Sequence, residues 1–218
     1  MTDYVPQDLV NAFVKSVARH FRALESAHDL KRSLEAKVVS PGGVQRVRPE
    51  DIGSRFFMLT LTLNGPTFSV SVSYGDREHD LTCRIHCKSH KEAYALWEWL
   101  EVLGRNELLE DSGGWVLTEP RVEAVLRQFD QVLERLAPVF ADADPAIEQQ
   151  LEHRREERMR LAQQQLAEAE HRRLAAKAAQ AFHRQDYAAV VDALLAVRVE
   201  LTASEKAKLS YAKRKLSH

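Results

Sequence analysis

Through the middle of the chain apolar and polar residues alternate. Phe57, Leu59, Leu61 and Leu63 are separated by Met58, Thr60 and Thr62. After Asn64-Gly65-Pro66, Phe68, Val70, Val72 and Tyr74 are separated by Ser69, Ser71 and Ser73. After Gly75-Asp76-Arg77-Glu78, Leu81, Cys83, Ile85 and Cys87 are separated by Thr82, Arg84 and His86. A period of two with turn residues between the runs predicts a three-stranded antiparallel meander, apolar on one face and polar on the other.

Elsewhere the period is that of a helix. Leu9, Val10, Phe13, Val17, Phe21, Leu24, His28 and Leu34 predict one helix over Gln7–Val39, ended by Pro41-Gly42-Gly43. A loop carrying Arg46 and Arg48 follows to about Gly53. Ser89 with Glu92 forms a capping-box pattern that predicts a helix to Gly104, burying Ala93, Leu96, Trp97, Leu100 and Leu103. Residues 107–118 predict a small hairpin around Asp111-Ser112-Gly113-Gly114. Thr118 then opens a helix with Val122, Val125, Leu126, Phe129, Val132, Leu133, Leu136 and Val139 on its apolar side.

The stretch Pro145–Arg184 contains no glycine and no second proline, and Asp144-Pro145 is a start signal. Rich in Ala, Leu, Glu, Gln and Arg, it predicts a single helix of roughly 60 Å. Its apolar positions are sparse, and Ile147, Leu151, Met159, Leu166, Leu174 and Phe182 are the candidates for partner contact, with Tyr187 beyond them. Asp186 opens a further helix with Val190, Val191, Leu194 and Leu195, and Thr202 with Glu205 caps a last one ending near Leu216. The expected fold is α+β: a three-stranded antiparallel meander packed with helices (1–141), a long charged helix (145–184) and a C-terminal helical hairpin (185–218).

Composition narrows the function classes. The chain has 218 residues, 44% of them hydrophobic, and a formal net charge of −1. The balance gives no global basic signal for nucleic acid. No apolar run approaches a membrane span, and Met-Thr-Asp-Tyr-Val-Pro lacks the regions of a signal peptide. Two cysteines fit a cytoplasmic protein better than a disulfide scaffold. The richness in Ala, Leu, Arg and Gln is typical of GC-rich bacterial genomes.

Candidate chemistry is thin. Cys83-x-x-His86-Cys87-x-x-His90 would share one face on a helix and hold zinc. On the strand that the alternation predicts, the two sulfurs stand about 13 Å apart and His86 faces the other way. No metal or cofactor is therefore expected. There is no phosphate-binding glycine loop, no Gly-x-Ser-x-Gly and no His-Glu-x-x-His, so no catalytic residue is assigned.

The helix–strand–strand–strand–helix order over Gln7 to Gly104, and within about 55–104 the Gly65-Pro66 turn and Ser89-His90-Lys91-Glu92-Ala93, resemble a double-stranded-RNA-binding domain, with Tyr94 in place of a third cation. That resemblance implies phosphate contact through Lys91 and His90. Over about 174–216, Ala178, Ala181-Phe182, Asp186-Tyr187, Val190 and Leu194 resemble a tetratricopeptide-like helical hairpin, which implies a groove for another protein. The expected function is a non-catalytic adaptor or structural subunit of a bacterial multi-protein assembly, partnered by another protein or a second copy. Duplex-RNA binding is the alternative.

Overall fold

The alternation does produce strands, and it extends further than expected on both sides. In the computed structural model the described residues are 7–40, 43–52, 56–75, 80–110, 114, 116–197 and 199–217. Helices α1 (Gln7–Arg19) and α2 (Arg22–His28) precede β1 (Lys31–Ser40), β2 (Gly43–Val47), β3 (Phe56–Asn64), β4 (Phe68–Gly75), β5 (Leu81–Cys87) and β6 (Tyr94–Ala95). Then come α3 (Leu96–Leu103), α4 (Glu119–Asp142), α5 (Pro145–His183), α6 (Tyr187–Leu195) and α7 (Ala203–Leu216). The fold is α+β, with one six-stranded sheet in the order β2-β1-β3-β4-β5-β6 and every pairing antiparallel. The chain divides into two compact units, Met1–Glu152 and His153–His218.

Six strands replace the expected three, and each addition has a physical reason. The single helix expected over Gln7–Val39 is instead α1, α2 and β1. Leu30, Leu34 and Val38 lie four apart, a spacing that fits a helix face and a strand face equally well. Phe21 at φ 68° and Asp29 at φ 50° turn the backbone left-handed on either side of α2 and break the helix twice. The Arg32 guanidinium donates to the carbonyls of Val17 and His20, satisfying orphan oxygens where α1 ends, and pairs with Glu25 on α2. The expected loop after residue 43 contains β2, an edge strand with no buried residue and so no alternation to read.

The helix expected to start at Ser89 starts at Leu96. Tyr94 and Ala95 are claimed by β5, opposite Ile85 and Arg84. The cap is supplied later, with the Ala95 N–H donating to Glu98 at 2.7 Å. Trp99 is consequently the buried tryptophan at 1% exposure, and Trp97 stands 45% exposed. Among the described residues of 107–118 there is no strand, only a 3-10 turn at Asn106–Leu108 reaching into that stretch. Residues 111–113 of the expected hairpin, 76–78 of the expected turn and Pro41-Gly42 lie outside the described residues.

In the first unit the inward residues of β4, Phe68, Val70, Val72 and Tyr74, are all fully buried. Phe13 of α1 stacks on Tyr74 at 6.1 Å, and Phe140 of α4 meets Phe68 edge-on at 5.8 Å. Helices α1 and α4 therefore cover one face. On the opposite face Ser33, Thr62, Ser71 and Arg84 form one row across four strands, and Thr60 bonds Ser73 at 3.1 Å. Ile147 and Leu151, from the first turns of α5, pack into this same core.

The second unit is three helices with an alanine-rich centre: Ala178, Ala181, Ala193 and Ala212 pack with Val190 and Leu194. Gln185 at φ 61° ends α5, and Asp186 caps α6 by accepting from the Ala189 N–H at 3.1 Å. Thr202 and Glu205 form the expected capping box on α7. His171 of α5 lies 3.1 Å from both Glu205 oxygens, while Phe182, Tyr187 and Tyr211 pack ring against ring.

Gly65 closes the β3–β4 turn where no side chain fits. A Cβ there would collide with the Leu30 side chain and stand 3.1 Å from the Phe68 carbonyl oxygen and 3.3 Å from that of His28. Gly65→Ala is expected to destabilise the first unit by about 1–3 kcal/mol, the usual cost of overpacking. Urea unfolding followed by tryptophan fluorescence measures it, and an unchanged midpoint would contradict the packing.

Candidate functional site

Three of the places where polar side chains meet in the first unit are candidates for chemistry. At the α1–α4 interface Glu123 accepts from Ser16 Oγ, from Arg19 at 2.9 Å and from His20 Nε2 at 2.9 Å. The other His20 nitrogen faces Asp130 at 3.6 Å. Burial pushes the Glu123 carboxyl up, but the hydrogen bonds from Ser16 and His20 and the charges of His20 and Arg19 outweigh it and hold it below the usual value. A Ser–Glu–His–Asp chain invites a nucleophilic reading. Ser16 is 3% exposed inside a helix–helix contact, so no substrate carbonyl reaches it. The cluster is a polar clamp between α1 and α4. No local motif announces it, because His20 and Glu123 are 103 residues apart.

The second place is around His90. Its ring is 4% exposed and stacks on Trp99 at 5.6 Å. Among the described residues neither ring nitrogen has a hydrogen-bond partner, and neither does Trp99 Nε1. His90 thus lies in the core of the fold and presents no ring edge to a phosphate. Lys91 beside it is exposed, with its ammonium 3.6 Å from Glu152 and its backbone N–H donating to Glu148 at 2.8 Å. Both residues precede β6 and stand outside any helix. Cys83 and Cys87 are free and buried. Burial pushes both thiols up, that of Cys87 to about 12 with help from Glu148, so neither offers a thiolate near neutral pH. Among the described residues no three His, Cys, Asp or Glu side chains are grouped to hold a metal ion.

The third place is a cleft of about 480 Å³ between α4 and residues 107–110. Leu108, Val125 and Val132 line it with Glu107, Arg127 and Arg135. Among the described residues its lining contains no His, Cys or Ser.

The long helix supplies the remaining candidates, and they separate into groups. Ile147 and Leu151 belong to the core of the first unit. Leu174 is buried, and Phe182 and Tyr187 pack around the alanine centre of the second unit. Met159 and Leu166 are 58% and 71% exposed. At 100° per residue, Leu166 is turned about 80° from Leu174 and about 60° from Leu151. Leu161 is also half exposed. Among the described residues no helix is long and apolar enough to cross a membrane.

The chain matches none of the family models, curated proteins or solved structures compared with it.

The clamp at Glu123 makes a pH-dependent prediction. A carboxyl held below its unfolded value stabilises fully above that value, near 4.3, and loses the contribution as the pH falls through the lower folded value. Glu123→Gln is expected to cost about 1–2 kcal/mol at pH 7, the range of about 1.5–3 kcal/mol for a hydrogen bond to a charged group lowered for the partial exposure of Glu123. The difference from wild type should shrink below about pH 4. Urea midpoints between pH 3 and 7 measure this, and a pH-independent difference would contradict the clamp.

Proposed function

We propose that the protein is a non-catalytic adaptor, a structural subunit of a multi-protein assembly that acts through protein–protein contacts. The observation that carries this reading is the exposure of Met159 and Leu166 on α5. Ile147 and Leu151 of the same helix are packed into the core of the first unit, and Phe182 packs against that of the second. Two large apolar residues one heptad apart on an uncovered helix are what a helical partner uses. The sequence resemblance of 174–216 to a tetratricopeptide-like helical hairpin supports the same role. A bacterial cytoplasmic setting fits the composition and the two free cysteines.

The reading is tested by light scattering and by affinity purification of the full chain from its source cells. A complex or a dimer is expected. Leu166→Glu is expected to weaken it roughly tenfold to a hundredfold, the loss of one buried leucine, while leaving the melting temperature within about 2 °C, because Leu166 has no packing to lose. A strict monomer that captures no protein would contradict the proposal. So would salt-dependent duplex-RNA binding as its only interaction.

A further inference from the structure

Charge is distributed unequally between the two units. His153–His218 contains fourteen Lys and Arg against eight Asp and Glu, a formal +6 in a chain of net −1. Within 171–218 there are ten cations and four carboxylates. Three of those four carboxylates are already engaged. Asp186 caps α6, Glu200 pairs with Lys206 at 2.7 Å, and Glu205 is held by His171 and Thr202. Arg173, Lys177 and Arg184 are exposed, and no carboxylate among the described residues pairs with them.

Their spacing decides where they point. From Met159, Leu166 is seven residues on, Arg173 fourteen, Lys177 eighteen and Arg184 twenty-five. Arg184 lies one residue past the end of α5 with its N–H still donating to the Gln180 carbonyl at 3.2 Å, and at 100° per residue the five positions fall within an arc of about 40°. Between Met159 and Arg184, Glu170, half-buried at the edge of that arc, is the one carboxylate near it. One face of the helix therefore presents two exposed apolar side chains followed by three unpaired cations over about 38 Å.

We infer that this face of α5 docks an acidic amphipathic helix of another protein, with its apolar side chains on Met159 and Leu166 and its carboxylates on Arg173, Lys177 and Arg184. The inference rests on the adaptor reading and names the chemistry of the partner. Charge complementarity selects an acidic occupant, and it gives orientation and encounter rate as well as affinity. The apolar end selects a protein over a nucleic acid, whose phosphates gain nothing from Met159 and Leu166. In the second unit the rings of Phe182, Tyr187 and Tyr211 face one another, and Arg214 and Lys215 stand over Tyr211, so these rings are engaged with one another and with cations instead of forming a row on which bases stack.

The test uses the full chain with a photo-reactive amino acid in place of Leu166 and, separately, in place of Thr82 on the open face of the sheet. Each is irradiated in lysate of the source cells, and the joined peptides are sequenced. At position 166 the expected product is a segment of another protein with a helical apolar spacing and an excess of Asp and Glu. Arg173→Glu with Lys177→Glu should lower its yield about tenfold, as should raising the salt to about 0.5 M. Circular dichroism of the double variant confirms that the helix is retained. Capture only at position 82 would leave the adaptor reading standing and overturn this inference. Capture at 166 of a nucleic acid, a second copy or a segment without acidic excess would also overturn it. No protein captured at either position would overturn both.

Discussion

The inward row of β4 is what the first unit depends on. Tyr74 touches Phe13 of α1 and Phe57 of β3, and its hydroxyl donates to the Val116 carbonyl at 3.0 Å. Phe68 touches His28 of α2 and Phe140 of α4, and Phe140 in turn meets Trp99 of α3 at 5.0 Å. Two aromatic residues six positions apart on one strand thus fix the places of four helices. The requirement is geometric. Only a strict period of two puts both rings on the same side, and the serines between them then face away. Buried aromatic pairs of this kind add about 0.5–1.5 kcal/mol each beyond the area they bury.

That alternation was legible because it is local and repeats three times. What surrounds it was less so. The segment 30–38 satisfies a helical and an extended period together, and the choice between them is made by pairing with β3, a contact the local pattern does not contain. Strand β2 has no buried side, and β6 is two residues long, so neither produces a signal. The start of α3 was misplaced because two capping patterns compete, and the demand of β5 for a partner at Tyr94 and Ala95 selects the later one. By contrast α5 and the Thr202 cap were fully legible, since they are set by residues three or four apart.

The candidate site was legible only in part, for the same reason. Met159 and Leu166 are recognisable as apolar residues on a polar helix, but their exposure depends on which faces the other helices cover. Leu151, equally apolar, is buried in the core of the first unit, and Leu174 is buried as well. A helix that is buried near both ends and bare in between is a poor way to stabilise a single chain. Helices in water are held mostly by the packing of one face, and the residues from 155 to 170 contribute little of it. Their retention as continuous helix is understandable if that face is meant for another molecule.

Amide hydrogen exchange along α5 tests this directly. The free chain should show fast exchange over about 155–170 and slow exchange over 174–182 and in β4, because protection follows burial and local packing. The middle segment should gain protection when its partner is added. If 155–170 were already as protected as β4 in the free chain, the face would be covered, and the account of α5 as an open docking surface would be wrong.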